Sequence, residues 1–356
     1  MITSLQAGRA IAAFSVAAFH LWLGLGSPSA QGWSGNTFLS IWSQGFLGVD
    51  YFFVLSGFII LQAHFRDIGQ AHRTGKYLAR RAIRIFPIYW IYLSACILGM
   101  WLVKSDHLQL GGALDWFTSY SLIRLSNVEL PLAQAWTLFH EIAFYAIFAL
   151  LILNRRWGLA AFIAWMLVVA FNFHYPSNAS QNLLSVLTGA YNLNFCIGML
   201  SFLLVQRLAS KATASLALLL GLALFAAMLA FRANGGAVWS PLGCAIAFGL
   251  VMSGAAALEL KGGLRVPVWL SLLGDASYST YLLHEHVESY SLRALSKLGF
   301  DYLNSPVITF FGVMAVVLSV GLAAYLGLER PLMKRLRPWV DRHFSGQPTH
   351  RQASAN

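Results

Sequence analysis

The chain has little charge. Only 10% of its 356 residues are Asp, Glu, Lys or Arg, against about a quarter in a soluble domain. With 58% hydrophobic residues and a mean hydropathy of +0.64, this excludes an ordinary soluble fold. Cysteine is scarce too. Cys96, Cys196 and Cys244 all lie in apolar stretches, with no Cys-x-x-Cys pair and no Cys/His ligand spacing. That leaves out a disulfide framework and a zinc site. Acidic residues are few, 13 against 24 Lys and Arg, for a net charge of +11. In a soluble chain such an excess suggests nucleic acid; in this one it is first a topology signal, and no nucleic-acid partner is expected. No repeat of fixed period and no second soluble domain is visible.

What the chain has is long apolar runs, near the length that crosses a ~30 Å hydrocarbon core. They predict an all-α, polytopic membrane protein with about ten spans, at 8–25, 46–63, 85–103, 134–153, 157–173, 183–205, 213–231, 239–258, 268–285 and 306–328. An even number puts both termini on one side. Of the 24 Lys and Arg, 19 then share that side, and Lys104, Arg124, Arg232, Arg293 and Lys297 face the other. The asymmetry predicts that both termini are cytoplasmic. We divide the chain into a transmembrane domain, 1–335, and a basic then polar tail, 336–356, whose small polar end is expected to be disordered. The start resembles a secretory signal with a cut after Ala30. His20 inside the apolar region, Pro28 near the cut and the length of the run argue against cleavage.

Four segments break the apolar background. Arg9 and His20 are eleven residues apart, which on a helix returns to within about 20° after a rise of about 16 Å. Ionisable groups at membrane depth mark function by default, and a neutral imidazole can take a proton from a hydroxyl. The plain alternative is a histidine that hydrogen-bonds a neighbouring helix. Ser56-Gly57 falls near the middle of the second span, where small residues serve close helix packing; Ser56 as a nucleophile is the weaker reading. Asp50 lies near the outer end of that span and reads as interfacial. Arg80, Arg81 and Arg84 share a broad helix face at the predicted start of the third span, with Pro87 in its first turns. A helix N-terminus with three arginines suits phosphate; topological anchoring explains them equally well. Glu141 sits about two turns into the fourth span, with His20 or Arg9 as its expected partner.

These segments together resemble the acyltransferase 3 family of integral membrane proteins. Arg9 and His20 match its first motif. Phe52 to Phe58 match Phe-Phe-x-Leu-Ser-Gly-Phe, Arg80 to Trp90 match Arg-Arg-x-x-Arg-Ile-x-Pro-x-Tyr-Trp, and Trp136 to Tyr145 match Trp-x-Leu-x-x-Glu-x-x-Phe-Tyr. The likeness continues through Leu273 to His284 and ends at Glu329-Arg330-Pro331; 155–265 share only hydrophobicity. Two departures are visible: Ala149 stands where many relatives have Pro, and His284 is followed by Glu285-His286 instead of x-Pro.

The resemblance implies an enzyme of the bacterial inner membrane. It would move an acyl group, commonly acetyl, from cytoplasmic acetyl-CoA or another acyl-CoA to a hydroxyl of a glycan or lipid-linked saccharide. Exopolysaccharide, O-antigen and Nod-factor modification are typical settings. No bound cofactor or metal is implied. It further implies catalytic roles for His20, Arg9 and Glu141, and donor binding by Arg80, Arg81 and Arg84, with Tyr89 and Trp90 beside them. Ser56, Gly57, Trp136, Tyr145 and His284 would support the site. Trp33, Trp42, Trp116 and Tyr120 offer rings for sugar stacking, or simply an interfacial aromatic belt. The rival from another class is a transporter or flippase for a lipid-linked or small polar substrate. Transporters tend to show related halves with broken helices in both; here the polar motifs crowd into 9–145.

Overall fold

An apolar segment in lipid must satisfy its own backbone N–H and C=O groups, and a helix does so within one segment. The computed structural model describes residues 2–26, 37–102, 108–175, 182–236 and 239–345, and every regular element among them is helical. In chain order these are α1 (Thr3–Gly26), α2 (Thr37–Ser40), α3 (Gly48–His64), α4 (Thr74–Leu102), α5 (Ala113–Ser121), α6 (Trp136–Leu153) and α7 (Arg155–Phe171). Then come α8 (Leu183–Thr188), α9 (Tyr191–Arg207), α10 (Lys211–Ala233), α11 (Ser240–Leu260), α12 (Val268–Asp275), α13 (Ser277–Lys297), α14 (Pro306–Ala324) and α15 (Arg330–Ser345). Eight helical segments among the described residues are long and apolar enough to cross a bilayer. The protein is a multi-pass integral membrane protein.

Two of the ten expected spans take another form. The one expected at 157–173 is α7, with 17 residues. The one expected at 268–285 is split at Ala276 into α12 and α13. α13 carries His284, Glu285, His286 and Glu288, and of these His284 and Glu288 are buried in protein. Polar side chains on a membrane helix face the bundle interior, so length and apolarity alone do not find this helix.

The third span also starts earlier than its hydropathy suggests. α4 begins at Thr74, so Pro87 lies inside the helix and not in its first turns. Arg80 is six residues into α4, about 9 Å from its first turn. The free amides of a helix N-terminus therefore do not lie beside the three arginines. The charged first turns of α4 read as a loop because polarity masked their helical continuity. The basic part of the tail, 336–345, is helical. α14 passes through a π-helical turn, Tyr325–Glu329, directly into α15. The cleavage point at Ala30, Trp33, Lys104 and the tail beyond 345 lie outside the described residues.

α1 is the central post. It packs against α3, α11, α12, α13 and α14, and its buried small residues Ala10, Ala12, Ala13, Ala17 and Ala18 let those helices come close. A Cβ on Gly274 of α12 would lie 2.0 Å from the Gln6 carbonyl oxygen, so that contact requires glycine. Glu259, at the end of α11, accepts from the Thr3 and Ser4 amides at 2.7 and 2.6 Å. It thereby caps the exposed amides of α1. α3 and α9 cross at a reciprocal glycine contact. A Cβ on Gly57 would meet the Phe195 carbonyl at 2.0 Å, and one on Gly198 the Val54 carbonyl at 1.8 Å. Gly57 thus serves packing.

Candidate active site

Two chambers open among the described helices. The larger, about 1,470 Å³, is lined by the start of α1, the end of α3, the first turns of α4 and the basic face of α15. Arg9, Arg80, Arg81, Arg84, Arg330, Lys334 and Arg337 outnumber the carboxyl groups of Glu141, Glu259, Asp275, Glu329 and Asp341 on its wall, which also holds Ser56 and Tyr145. The smaller, about 580 Å³, is lined by the later turns of α1, the start of α3, the residues leading into α6, and the end of α10. His20, Asp50, Trp136, Arg232 and Glu285 belong to it. These are opposite ends of the same helices, so the chambers enter from opposite faces. Val49 and Tyr281 line both and so belong to the partition between them. The Tyr281 hydroxyl reaches Thr137 Oγ1 at 3.2 Å and the Gln134 carbonyl at 3.3 Å, which anchors the partition to α6 and its approach.

Arg9 and His20 therefore share a helix but not a chamber. Arg9 donates to Gln6 Oε1 at 3.2 Å and borders the basic chamber. His20 borders the other. Its hydrogen bonds fix its tautomer, because a carbonyl oxygen only accepts. His284 Nδ1 lies 2.6 Å from the Tyr281 carbonyl, so neutral His284 carries its proton there and offers Nε2 as an acceptor. That Nε2 is 3.3 Å from His20 Nδ1, which is also 2.9 Å from the Val16 carbonyl. Both neighbours of His20 Nδ1 are acceptors. In the neutral ring Nδ1 then holds the proton and Nε2 the lone pair, an assignment that follows from the network. His284, which the sequence marked only as support, is the side chain that touches His20.

Glu141 makes its hydrogen bonds elsewhere. Ser56 Oγ donates to its Oε1 at 3.3 Å, and the Tyr145 hydroxyl donates to the same oxygen. Neither His20 nor Arg9 is a hydrogen-bond partner of Glu141. Tyr145 is one turn along the same helix, a spacing at which side chains meet.

The three arginines are not equivalent. Arg84 donates to Glu329 Oε1 at 2.6 Å, and the buried Glu329 also accepts from Ser279 at 2.7 Å. Arg80 donates to Asp341 of α15 at 2.6 Å, joined there by Lys76 at 3.2 Å. Arg81 lies over the Tyr145 ring at 5.8 Å, and its buried Nε has no hydrogen-bond partner among the described residues. Tyr89 and Trp90 do not reach the chamber. The Tyr89 hydroxyl donates to the Ser119 carbonyl at 2.5 Å and Trp90 Nε1 to the Tyr120 carbonyl at 2.9 Å, tying α4 to α5.

Trp136 packs beside Tyr191 at 5.1 Å and Phe53 at 6.2 Å on the wall of the smaller chamber. Trp42 stacks on Phe310 at 5.8 Å within a buried cluster, and Trp116 stacks on Tyr120 at 6.1 Å on α5. Four side chains gain weight that the sequence had not given them. Asp50 is buried and accepts from Asn194 at 2.7 Å. Arg232 donates to Ser240 at 3.1 Å over the Phe46 ring. Glu285 accepts from Gln134, and Glu329 holds Arg84. The available signal was a charge inside or beside an apolar run, without its partner's address. Among the described residues, no group of three His, Cys, Asp or Glu is placed to hold a metal.

A family model described as an acyltransferase domain matches residues 2–325. The exopolysaccharide production protein ExoZ of Rhizobium meliloti (strain 1021) is 33% identical over 310 residues, 82% of this chain and 91% of that protein. Nodulation protein 10 of Rhizobium leguminosarum bv. viciae is 26% identical over 377 residues, 95% of each chain. No solved structure matches.

Proposed function

The chain belongs to the membrane acyltransferase family whose model it matches, and from that membership we propose that it transfers an acetyl group from cytoplasmic acetyl-CoA to a glycan hydroxyl. The acceptor is a cell-surface glycan or its lipid-linked precursor, and the site is the bacterial inner membrane. Relatives named for exopolysaccharide production and nodulation support a glycan acceptor. The charge asymmetry of the loops supports a cytoplasmic arginine face with both termini on it.

One observation carries the reading. The basic chamber, walled by Arg80, Arg81 and Arg84, adjoins the His20 chamber at Val49 and Tyr281, which line both. A multiply anionic donor suits the arginine walls, where guanidinium groups hold phosphate oxygens. Its thioester arm extends past Arg9 and Ser56 towards the partition. The acceptor hydroxyl enters from the other face. His20 Nε2 takes its proton as the oxygen attacks the thioester carbonyl; the C–S bond breaks, and the proton passes from His20 to the departing sulfur, which leaves as the free thiol. His284 and the Val16 carbonyl hold the ring in the tautomer this requires. Glu141, with Ser56 and Tyr145, forms a polar station on the donor side of the partition.

The test is the purified protein in nanodiscs with acetyl-CoA labelled in its acetyl group and glycan fragments from the host surface. Transfer of label to the glycan is expected, with a mass gain of one acetyl group per acceptor. Equal label uptake by the glycan without the protein, or none with any glycan fraction, overturns the reading.

A further inference from the structure

Resting on that reading, we propose that the smaller chamber is a subsite for an uncharged pyranose ring, and that Glu285 and Gln134 select it. Its volume, about 580 Å³, falls in the range of small-molecule clefts, about 300–1,000 Å³. Trp136 and Tyr191 give its wall flat aromatic surface next to polar groups, the pairing that an alternately apolar and hydroxylated ring requires.

The wall holds unspent hydrogen-bonding capacity. Gln134 is almost fully buried at 3% exposure, and its amide donates to the Glu285 carboxylate. Its Oε1 has no partner among the described residues, and neither does the Tyr175 hydroxyl on the same chamber. Leaving such groups unpaired is costly. A sugar hydroxyl both donates and accepts, so one ring satisfies an acceptor and a donor together.

Charge sets the class of ring. The wall carries the carboxyl groups of Asp50 and Glu285 against one guanidinium, Arg232. That guanidinium is already engaged with Ser240 and the Phe46 ring. A uronic acid brings a further negative charge and finds no guanidinium or ammonium group other than the engaged Arg232 among the described residues of the chamber wall, so it is rejected by like-charge contact. Glu285 directly follows His284, the partner of His20. A side chain there tunes the acceptor without altering the base.

Saturation-transfer difference NMR on the protein in nanodiscs tests this, with cellobiose, lactose and a glucuronic acid-containing disaccharide as probes. Acetyl transfer from labelled acetyl-CoA is read in parallel. Neutral disaccharides should bind at least about tenfold tighter than the uronate. Glu285→Gln keeps the shape and should shrink that preference severalfold. Gln134→Leu should weaken neutral sugar binding about tenfold and Tyr175→Phe about threefold, each leaving acetyl-CoA affinity unchanged. Tyr175→Phe decides the matter if Gln134→Leu does not fold. Equal binding of the uronate, or no sugar binding, or unchanged affinity in Tyr175→Phe, overturns the proposal. Sugar binding without acetyl transfer instead overturns the acyltransferase reading and leaves the subsite standing.

Discussion

The two chambers are built from opposite ends of the same helices, yet their walls differ in kind. One presents Arg9, Arg80, Arg81, Arg84, Lys334 and Arg337; the other presents aromatic rings, two carboxyl groups and His20. The first is large and basic, the second smaller and suited to a neutral, hydroxylated guest. This difference teaches that the family's leading motif is not one local device. Arg9 and His20 deliver one group to each chamber from a single helix, and α1 is central because it must border both.

Substitutions that act on one chamber and spare the other test this division. The largest effect should come from His20→Gln. Removing a general base costs about 10²- to 10⁴-fold in rate, and acetyl-CoA binding by the purified variant should be unchanged. A comparable loss of donor affinity would merge the chambers into one site. Val49→Phe thickens the partition while leaving the arginines of one wall and His20 of the other in place. Transfer should fall at least about tenfold, because the reacting atoms no longer approach, with donor and sugar affinities each within about twofold in binding assays. Arg81→Ala should weaken acetyl-CoA binding about tenfold, as one charge-assisted contact is lost, with acceptor KM unchanged. Unaltered donor affinity would return Arg81 to topological anchoring. The smallest effect should be that of Asp341→Asn. Asp341 is 43% exposed and competes with the donor for Arg80 and Lys76. Its removal should tighten acetyl-CoA binding about twofold, in keeping with the small worth of exposed ion pairs.

Much of this was legible in the sequence, and the gaps have physical causes. Apolar runs located most of the long helices because hydropathy is a local property. Partner choice is not local. His20 meets His284 across 264 residues and Arg84 meets Glu329 across 245, and no spacing rule connects such positions. The Glu141–Tyr145 contact was within reach, since one helical turn separates the two. The start of α4 was hidden because Lys76, Arg80 and Arg81 make a helix look like a loop to a hydropathy window. α13 was hidden in the same way, its polar residues being sheltered by neighbours that no local window contains.

The partition at Val49 and Tyr281 has a consequence for the cell's energetics. Two water-accessible recesses that approach each other from opposite faces leave the insulation of the bilayer to the side chains between them. Each elementary charge crossing a 100 mV potential dissipates about 2.3 kcal/mol, so a gap wide enough for a file of water would drain the proton gradient. Val49 is 8% exposed and Tyr281 is 7% exposed, with its hydroxyl tied to Thr137. The two recesses meet at these buried side chains, and on the proposed mechanism they are what keeps protons out while the acyl group passes.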